Sequence, residues 1–141
     1  AWLRSIWRGK LILKGILDVE DAKIAAGTGA QAIVVSNHGG RQLDGALSSI
    51  SVLPGIAEAV GSKTEVLFDG GVRSGQDVMR AIALGARACL IGKAFLHGLG
   101  AGGEEGVRRA IDIIRKEMEV TMVLTGRRNL AEVDRTILMG H

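Results

Sequence analysis

The sequence predicts an α/β fold in which parallel strands alternate with helices. Short apolar runs, rich in branched side chains, alternate with segments whose apolar residues recur at helical spacing. This strand–helix unit occurs four times, at about 30 residues per unit, which is the length of a βαβ repeat. The strand segments are continuously apolar, which is typical of parallel strands buried on both faces.

The predicted strands are Leu11–Ile16, Ala32–Asn37, Glu65–Asp69 and Ala88–Gly92. The predicted helices are Asp18–Ala26, Pro54–Val60, one from Ser74 to Gly85, and a long one after the glycine-rich turn Gly98–Gly103. Proline suits a first helical turn, and Ser74 with Asp77 three residues later is close to a capping box. The long helix carries an apolar stripe at spacings of three and four residues: Val107, Ile111, Ile114, Met118 and Met122.

Four units leave two architectures open, a doubly wound open sheet or half of a (β/α)8 barrel, since a whole barrel takes roughly 250 residues. Polar residues follow the carboxyl ends of all four strands, at Lys14, Asn37 and His38, Asp69, and Lys93. A barrel collects its site on that one face, whereas an open sheet favours a single switch point. No Gly-x-Gly-x-x-Gly run follows the first strand. The sequence therefore favours half of a barrel.

Composition excludes several classes of protein. The net charge is only +3, the basic residues are scattered, and aromatic residues make up 3% of the chain, so a nucleic-acid-binding surface is not expected. The single cysteine excludes an internal disulfide and suits a reducing compartment. There is no spaced His/Cys set for a metal and no apolar run near the roughly 18 residues of a membrane span. We expect a cytoplasmic protein, with peripheral association with the inner face of the membrane left open.

Glycine-rich segments with a cation end the third and fourth predicted strands. They are Asp69-Gly70-Gly71-Val72-Arg73 and Ile91-Gly92-Lys93. Glycine lets backbone N–H groups approach phosphate oxygens, and the two cations add charge. The alternative is a pair of tight turns with solvated cations. The occurrence on adjacent strands favours a phosphate site, which a barrel carries after its last two strands.

The second strand ends in Ser36-Asn37-His38-Gly39-Gly40-Arg41. Histidine changes protonation near neutral pH, so His38 at an exposed strand end suits a general base. Arg41 can hold a carboxylate through two hydrogen bonds. The pair predicts proton abstraction beside a carboxylate. The alternative is a loop histidine with a surface arginine.

Three further residues carry weaker signals. Lys14 ends an apolar strand and can stabilise a negative charge on a ligand, form a Schiff base, or simply extend to solvent. His97 and Cys89 are interpreted as packing or surface positions rather than catalysts.

These segments together resemble the FMN-dependent 2-hydroxy-acid oxidising enzymes, such as glycolate oxidase, L-lactate dehydrogenase and oxidase, and mandelate dehydrogenase. The most specific part of the resemblance is the run from Ser36 to Asp44, and it extends from about Leu11 to Leu130. It implies a (β/α)8 TIM barrel in which residues 1–141 supply strands five to eight, FMN as cofactor, and oxidation of an L-2-hydroxy acid to the 2-oxo acid.

The resemblance also implies a role for each matching residue. His38 matches the base that takes a proton from the substrate, and Arg41 matches the clamp on its carboxylate. The cofactor contacts are Lys14 and Ser36 at the flavin ring, and Asp69, Gly70, Gly71, Val72, Arg73, Gly92 and Lys93 at the ribityl chain and phosphate. Lys93 departs from the family's usual arginine, which keeps the charge but loses the bidentate fork.

The resemblance further implies a companion chain or segment that carries strands one to four, with the family's remaining active-site residues, and a homo-oligomer, typically a tetramer. Two alternatives stay open: a different FMN barrel enzyme such as an isomerase, against which the His38 and Arg41 pair argues, and a non-catalytic half-barrel that serves as a binding or assembly module.

Overall fold

The computed structural model describes residues 2–138, and Ala1 and residues 139–141 lie outside the described part. The strands are β1 (Ile12–Ile16), β2 (Ala32–Val35), β3 (Glu65–Phe68) and β4 (Ala88–Cys89). The helices are α1 (Trp2–Ile6), α2 (Val19–Gly27), α3 (Ser49–Val60), α4 (Gly75–Ala83) and α5 (Lys93–Leu124), with short 3₁₀ turns at His38–Gly40, Leu130–Glu132 and Arg135–Ile137. The predicted alternation of strands and helices is confirmed.

The four strands form one parallel sheet in the consecutive order β1-β2-β3-β4. A doubly wound sheet would reverse its strand order at a switch point, and this sheet does not. One core cluster joins side chains of both inner strands, β2 and β3, with those of the helices that follow the strands: Ala22 and Ala25 of α2, Leu53 and Ile56 of α3, Val78 and Ala81 of α4, and Ile114 of α5. These helices therefore cover the same face of the sheet, as they do in a (β/α)8 barrel.

Burial changes from the centre of the sheet to its edges. All four residues of β2 are buried, while the edge strands β1 and β4 are partly exposed. Ile12 in β1 is 49% exposed and Leu90 just after β4 is 39% exposed. The expectation of strands buried on both faces is thus confirmed for the centre of the sheet only, because the described residues supply no neighbour at either edge.

The strands are shorter than predicted, although the hydrogen-bond ladder continues past their ends. The backbone N–H of Ser36 donates to the Ile16 carbonyl at 3.2 Å, and that of Asp69 donates to the Val35 carbonyl at 3.0 Å. The polar residues that follow each strand are therefore held by the sheet rather than by free loops.

Helix α3 begins at Ser49, five residues before the predicted start, so Pro54 lies inside the helix and the prediction of a first-turn proline was wrong. Ser49, Leu53, Ile56 and Val60 of this helix are buried. Their burial on one face stabilises the early turns and outweighs the hydrogen bond that proline cannot donate.

Helix α5 contains a sharp bend at Gly102 and Gly103, within the predicted glycine-rich turn. Gly103 has a φ of +59°, and the backbones of Gly98 and Gly106 lie so close that neither position has room for a Cβ. The segment is therefore a tight pair of helices. Ile114, Met118 and Met122 pack as predicted, but Ile111 is 43% exposed because no described element covers that side of the helix.

The start of α4 is the predicted capping box. The Ser74 hydroxyl accepts from the Asp77 N–H at 3.2 Å, and Asp77 Oδ2 accepts from the Ser74 N–H at 3.0 Å. Glu117 of α5 adds a third cap, since its Oε2 accepts from the Gly75 N–H at 2.7 Å. Gly75 is buried directly against α5, which lets the two helices meet at the point where the loop after β3 enters α4.

We predict that Gly75→Ala destabilises the complete protein by about 1–3 kcal/mol, because the added methyl overpacks this contact. Its Cβ would lie 2.5 Å from the Ile114 carbonyl oxygen and against the Met118 backbone nitrogen. Gly100→Ala is the matched control, since a Cβ there meets nothing within 4 Å and alanine favours a helix. Urea unfolding midpoints measure the effect, and an unchanged midpoint for Gly75→Ala would contradict the packing described.

Candidate active site at the carboxyl ends of the strands

A cavity of about 720 Å³ lies at the carboxyl ends of the strands. It is lined by all of the predicted site residues except Ser36: Lys14, His38, Arg41, Asp69, Gly70, Gly71, Val72, Arg73, Gly92 and Lys93. Parallel pairing of consecutive strands places these ends at one edge, so residues from four separate segments meet in one place. The structure thus brings the predicted residues together, as expected for one site.

Ser36 is fully buried under the cavity. Its hydroxyl oxygen accepts from Lys14 Nζ at 2.9 Å and from the backbone N–H of His38 at 3.1 Å. One buried hydroxyl therefore ties the lysine of β1 to the start of the histidine turn after β2.

Lys14 also contacts Asp69, across the intervening strand. Lys14 Nζ lies 2.5 Å from Asp69 Oδ2, with the lysine side chain 38% exposed and the aspartate 18% exposed. The other carboxylate oxygen, Asp69 Oδ1, is buried and has no hydrogen-bond partner among residues 2–138. A buried carboxylate oxygen that is free to accept a hydrogen bond suits a hydroxyl-bearing ligand.

His38 lies on a tight turn directly above β1. Its φ is +54°, and Gly39 and Gly40 that follow also have positive φ values of +68° and +75°. The His38 imidazole lies over Gly15, where an added Cβ would approach Nε2 to 2.7 Å. Gly15 has a φ of +100° at the irregularity in β1, so both its backbone conformation and the close approach of the imidazole require glycine.

The loops after β3 and β4 form the predicted glycine-rich cradle. Gly70 and Gly71 have φ values of +104° and +83°, and a Cβ at Gly71 or Gly92 would meet nothing within 4 Å. Within residues 2–138, the Arg73 and Lys93 side chains form no ion pair or hydrogen bond. The open space beside Gly71 and Gly92 and the two cations without a partner among the described residues suit an anion.

Two titrating groups lie beside this cradle. Burial raises the pKa of the Asp77 carboxyl, but hydrogen bonds from the Arg73 N–H and from Ser74, together with the charge of Arg80, outweigh it and lower the pKa. Burial, with a contribution from the charge of Asp77, raises the pKa of the Cys89 thiol to about 12. Cys89 therefore stays protonated at neutral pH, as a packing residue should.

A second cavity of about 250 Å³ shares Arg73 and Lys93 with the main one. His97 lines it with Ala94, Ala110, Ile113 and Ile114 and is exposed, as predicted for a packing or surface position.

The main cavity also holds residues that the sequence did not single out, among them Gln42, Ser49, Leu90 and Leu96. Ser49 was missed because the predicted helix began at Pro54, which left Ser49 in the loop before it. Among residues 2–138, no cluster of three or more His, Cys, Asp or Glu side chains could hold a metal ion.

Comparison with known proteins decides the family. The family model described as FMN-dependent dehydrogenase matches residues 1–139. The chain belongs to the FMN-dependent dehydrogenase family. Curated members of this family that resemble it include L-lactate dehydrogenases from Caulobacter sp. (strain K31), 61% identical over 137 residues, and from Caulobacter vibrioides, 59% identical over 137 residues. Each match covers 97% of this chain and 36% of the relative, so the chain spans about a third of their length.

Solved structures of the family agree with the fold. A mandelate oxidase structure matches with a TM-score of 0.91 and 47% identity, covering 94% of this chain and 39% of that one. A mandelate oxidase variant with a monooxide FMN adduct matches with a TM-score of 0.91 and 46% identity, covering 95% of this chain and 43% of that one. The four-stranded parallel sheet with its helices thus corresponds to part of a barrel, and the predicted fold class is confirmed. No helix in the described part of this chain is long and apolar enough to span a membrane.

The residues at the cavity fit the cofactor after which the family is named. The glycine cradle with Arg73 and Lys93 suits the phosphate, and the unpartnered Asp69 Oδ1 suits a hydroxyl. Lys14, held at the cavity wall by Ser36 and Asp69, suits the electron-rich edge of a flavin ring. Lys93, where the resemblance implies an arginine, still supplies a positive charge to the cradle.

We predict that Asp77→Asn destabilises the complete protein by about 1 kcal/mol near pH 7, because the carboxylate caps α4 and orders the Arg73 loop. The folded-state pKa is lowered from 3.8, so this stabilisation is present above about pH 4 and is lost as the pH falls through the folded pKa. The difference between variant and parent should shrink from pH 7 towards pH 3.

Urea unfolding across this pH range measures the difference. Asp112→Asn, at an exposed position of α5, is the control. A difference that is constant with pH would show that the charge of Asp77 does not stabilise the cap.

Proposed function

We propose that this chain supplies half of the active site of an FMN-dependent enzyme that oxidises an L-2-hydroxy acid to the 2-oxo acid. The observation that carries the proposal is the single cavity that joins a histidine–arginine turn to a cation-lined glycine cradle. The family match and the L-lactate dehydrogenase and mandelate oxidase names of its relatives support the same substrate class.

The cradle and cavity wall hold the cofactor in this proposal. Backbone amides of Gly70, Gly71 and Gly92, with the side chains of Arg73 and Lys93, bind the phosphate, and Val72 lies in the same loop. Asp69 Oδ1 accepts from a ribityl hydroxyl. Lys14, positioned by buried Ser36, places a positive charge at the flavin ring. When bound, FMN supplies an acceptor for the two electrons that leave the substrate.

The turn after β2 handles the substrate. Arg41 has no ion-pair partner within the described range, so its guanidinium is available to a substrate carboxylate. His38, three residues away on the same turn, takes a proton from the bound acid. The geometry is compatible with a proton from the α-carbon or from the hydroxyl, since both lie next to the carboxylate that Arg41 holds.

A companion segment completes the barrel. The open edges of β1 and β4 are apolar and lack the prolines or repeated charges that normally protect an exposed edge strand. Apolar side chains are exposed at both edges, with Ile12 of β1 at 49% and Leu90 just after β4 at 39%. We propose that residues 1–141 are the C-terminal half of one domain, strands five to eight, and that strands one to four pair with both edges. We further propose that the complete protein forms a homo-oligomer, a tetramer by resemblance to the family, and that it is cytoplasmic.

The experiment that tests the function is anaerobic mixing of the complete, FMN-loaded protein with L-lactate, glycolate or L-mandelate. Loss of the oxidised flavin absorbance, without any added cofactor, is the expected result. The methyl ester of the same acid should reduce the flavin much more slowly, since it offers Arg41 no carboxylate. An unreduced flavin with every acid would contradict the proposal and would favour a binding module or a different FMN enzyme.

We predict that His38→Gln retains FMN but lowers the rate of flavin reduction by more than the roughly 10²–10⁴-fold that a positioned base typically supplies. Glutamine cannot accept the proton, while the cradle residues are unchanged. His97→Gln is the matched control, because His97 lines the smaller cavity and is exposed. Stopped-flow absorbance measures the rate, and near-parental reduction by His38→Gln would remove this histidine from the mechanism.

A further inference from the structure

We propose that Ser49 is a positioning residue that fixes the His38 turn against the cofactor loop after β3. The proposal rests on the proposed function for its catalytic consequence, but its structural claim stands on the contacts of Ser49 alone. Ser49 begins α3, is 2% exposed, and lies at the wall of the main cavity, although neither its sequence position nor the matched motifs mark it as functional.

The first contact of Ser49 is with the histidine turn. Its hydroxyl oxygen accepts from the backbone N–H of Asn37 at 3.2 Å. The Asn37 side chain then continues the network, because its Oδ1 accepts from the Gly39 N–H at 3.0 Å and its Nδ2 donates to the Leu47 carbonyl at 3.3 Å. The residues on both sides of His38 are thus held by a chain of bonds that begins at Ser49.

The second contact is with the cofactor loop. Gly70 lies so close to Ser49 that an added Cβ would approach the serine Oγ to 2.5 Å and Asn37 Oδ1 to 3.1 Å. The serine hydroxyl therefore lies directly against Gly70, where the absence of a side chain leaves room for it. One side chain touches both the turn that carries His38 and Arg41 and the loop that carries Asp69 and Arg73.

The turn needs such support, because its backbone is unfavourable for the residue it holds. His38 has a φ of +54°, a conformation that is uncommon for non-glycine residues and that local hydrogen bonds help to maintain. Removal of the Ser49 hydroxyl would leave the half-buried Asn37 N–H without an acceptor, and the turn would relax to reach water. His38 and Arg41 would then move together, whereas the loop after β3 would stay anchored by the N–H bonds of Arg73 and Ser74 to Asp77.

The test is amide hydrogen exchange on the complete, FMN-loaded protein and its Ser49→Ala variant. We expect the amides of residues 37–40 to exchange at least about 10-fold faster in the variant, while the amides of residues 53–60 in α3 are unchanged. The rate of flavin reduction by a 2-hydroxy acid should fall about 10–100-fold, with FMN retained, because a small displacement of the base is costly. Ser51→Ala is the matched control, since the exposed Ser51 hydroxyl donates only to the Ser48 carbonyl.

Ser49→Cys, whose thiol is somewhat larger and a weaker acceptor, keeps the test decisive if Ser49→Ala does not fold. Exchange at residues 37–40 should then be faster than in the parent. Parental exchange in either variant, or faster exchange spread over all of α3, would overturn the positioning role. Because exchange needs no substrate, a failed hydroxy-acid reaction with faster exchange would contradict the proposed function and leave the role of Ser49 supported.

Discussion

The consecutive parallel pairing of four strands is the constraint on which the site depends. A short polar segment follows each strand at the same edge of the sheet. Backbone hydrogen bonds from Ser36 and Asp69 to the neighbouring strands extend the sheet's pairing into two of these segments. The helices pack against one face of the sheet. The edge formed by the carboxyl ends of the strands is left open. The histidine–arginine turn and the glycine-rich loops therefore share one cavity although they are far apart in sequence.

At that edge, buried oxygen atoms accept hydrogen bonds that hold the Lys14 side chain and the His38 turn in place. Ser36 holds Lys14 and the His38 backbone, Asp69 holds Lys14 from the other side, and Ser49 holds Asn37. Each acceptor is half-buried or fully buried, so its bonds compete little with water. In contrast to Lys14, the cations Arg41, Arg73 and Lys93 have no hydrogen-bond or ion-pair partner within residues 2–138. Their side chains remain available to anions.

Sequence reasoning predicts the parts of this site that depend on local pattern. Apolar runs located the four strands, and the Ser74–Asp77 pair located the start of α4, because strand burial and capping are decided within a few residues. The start of α3 was misplaced, since the buried face of Ser49, Leu53 and Ile56 outweighs the local signal of Pro54. The Lys14–Asp69 pair and the Ser49 contact could not be predicted, because both join strands or loops that only the tertiary fold brings together. The roles assigned to the site residues stay predictions.

The measurement that tests this account most directly is a crystal structure of the complete protein with FMN and a 2-oxo acid. The account predicts the phosphate between the amides of Gly71 and Gly92 with Arg73 and Lys93 around it, the oxo acid carboxylate on Arg41, and strands from the remainder of the protein paired with β1 and β4. FMN bound at another edge of the sheet, or β1 and β4 left unpaired, would contradict it.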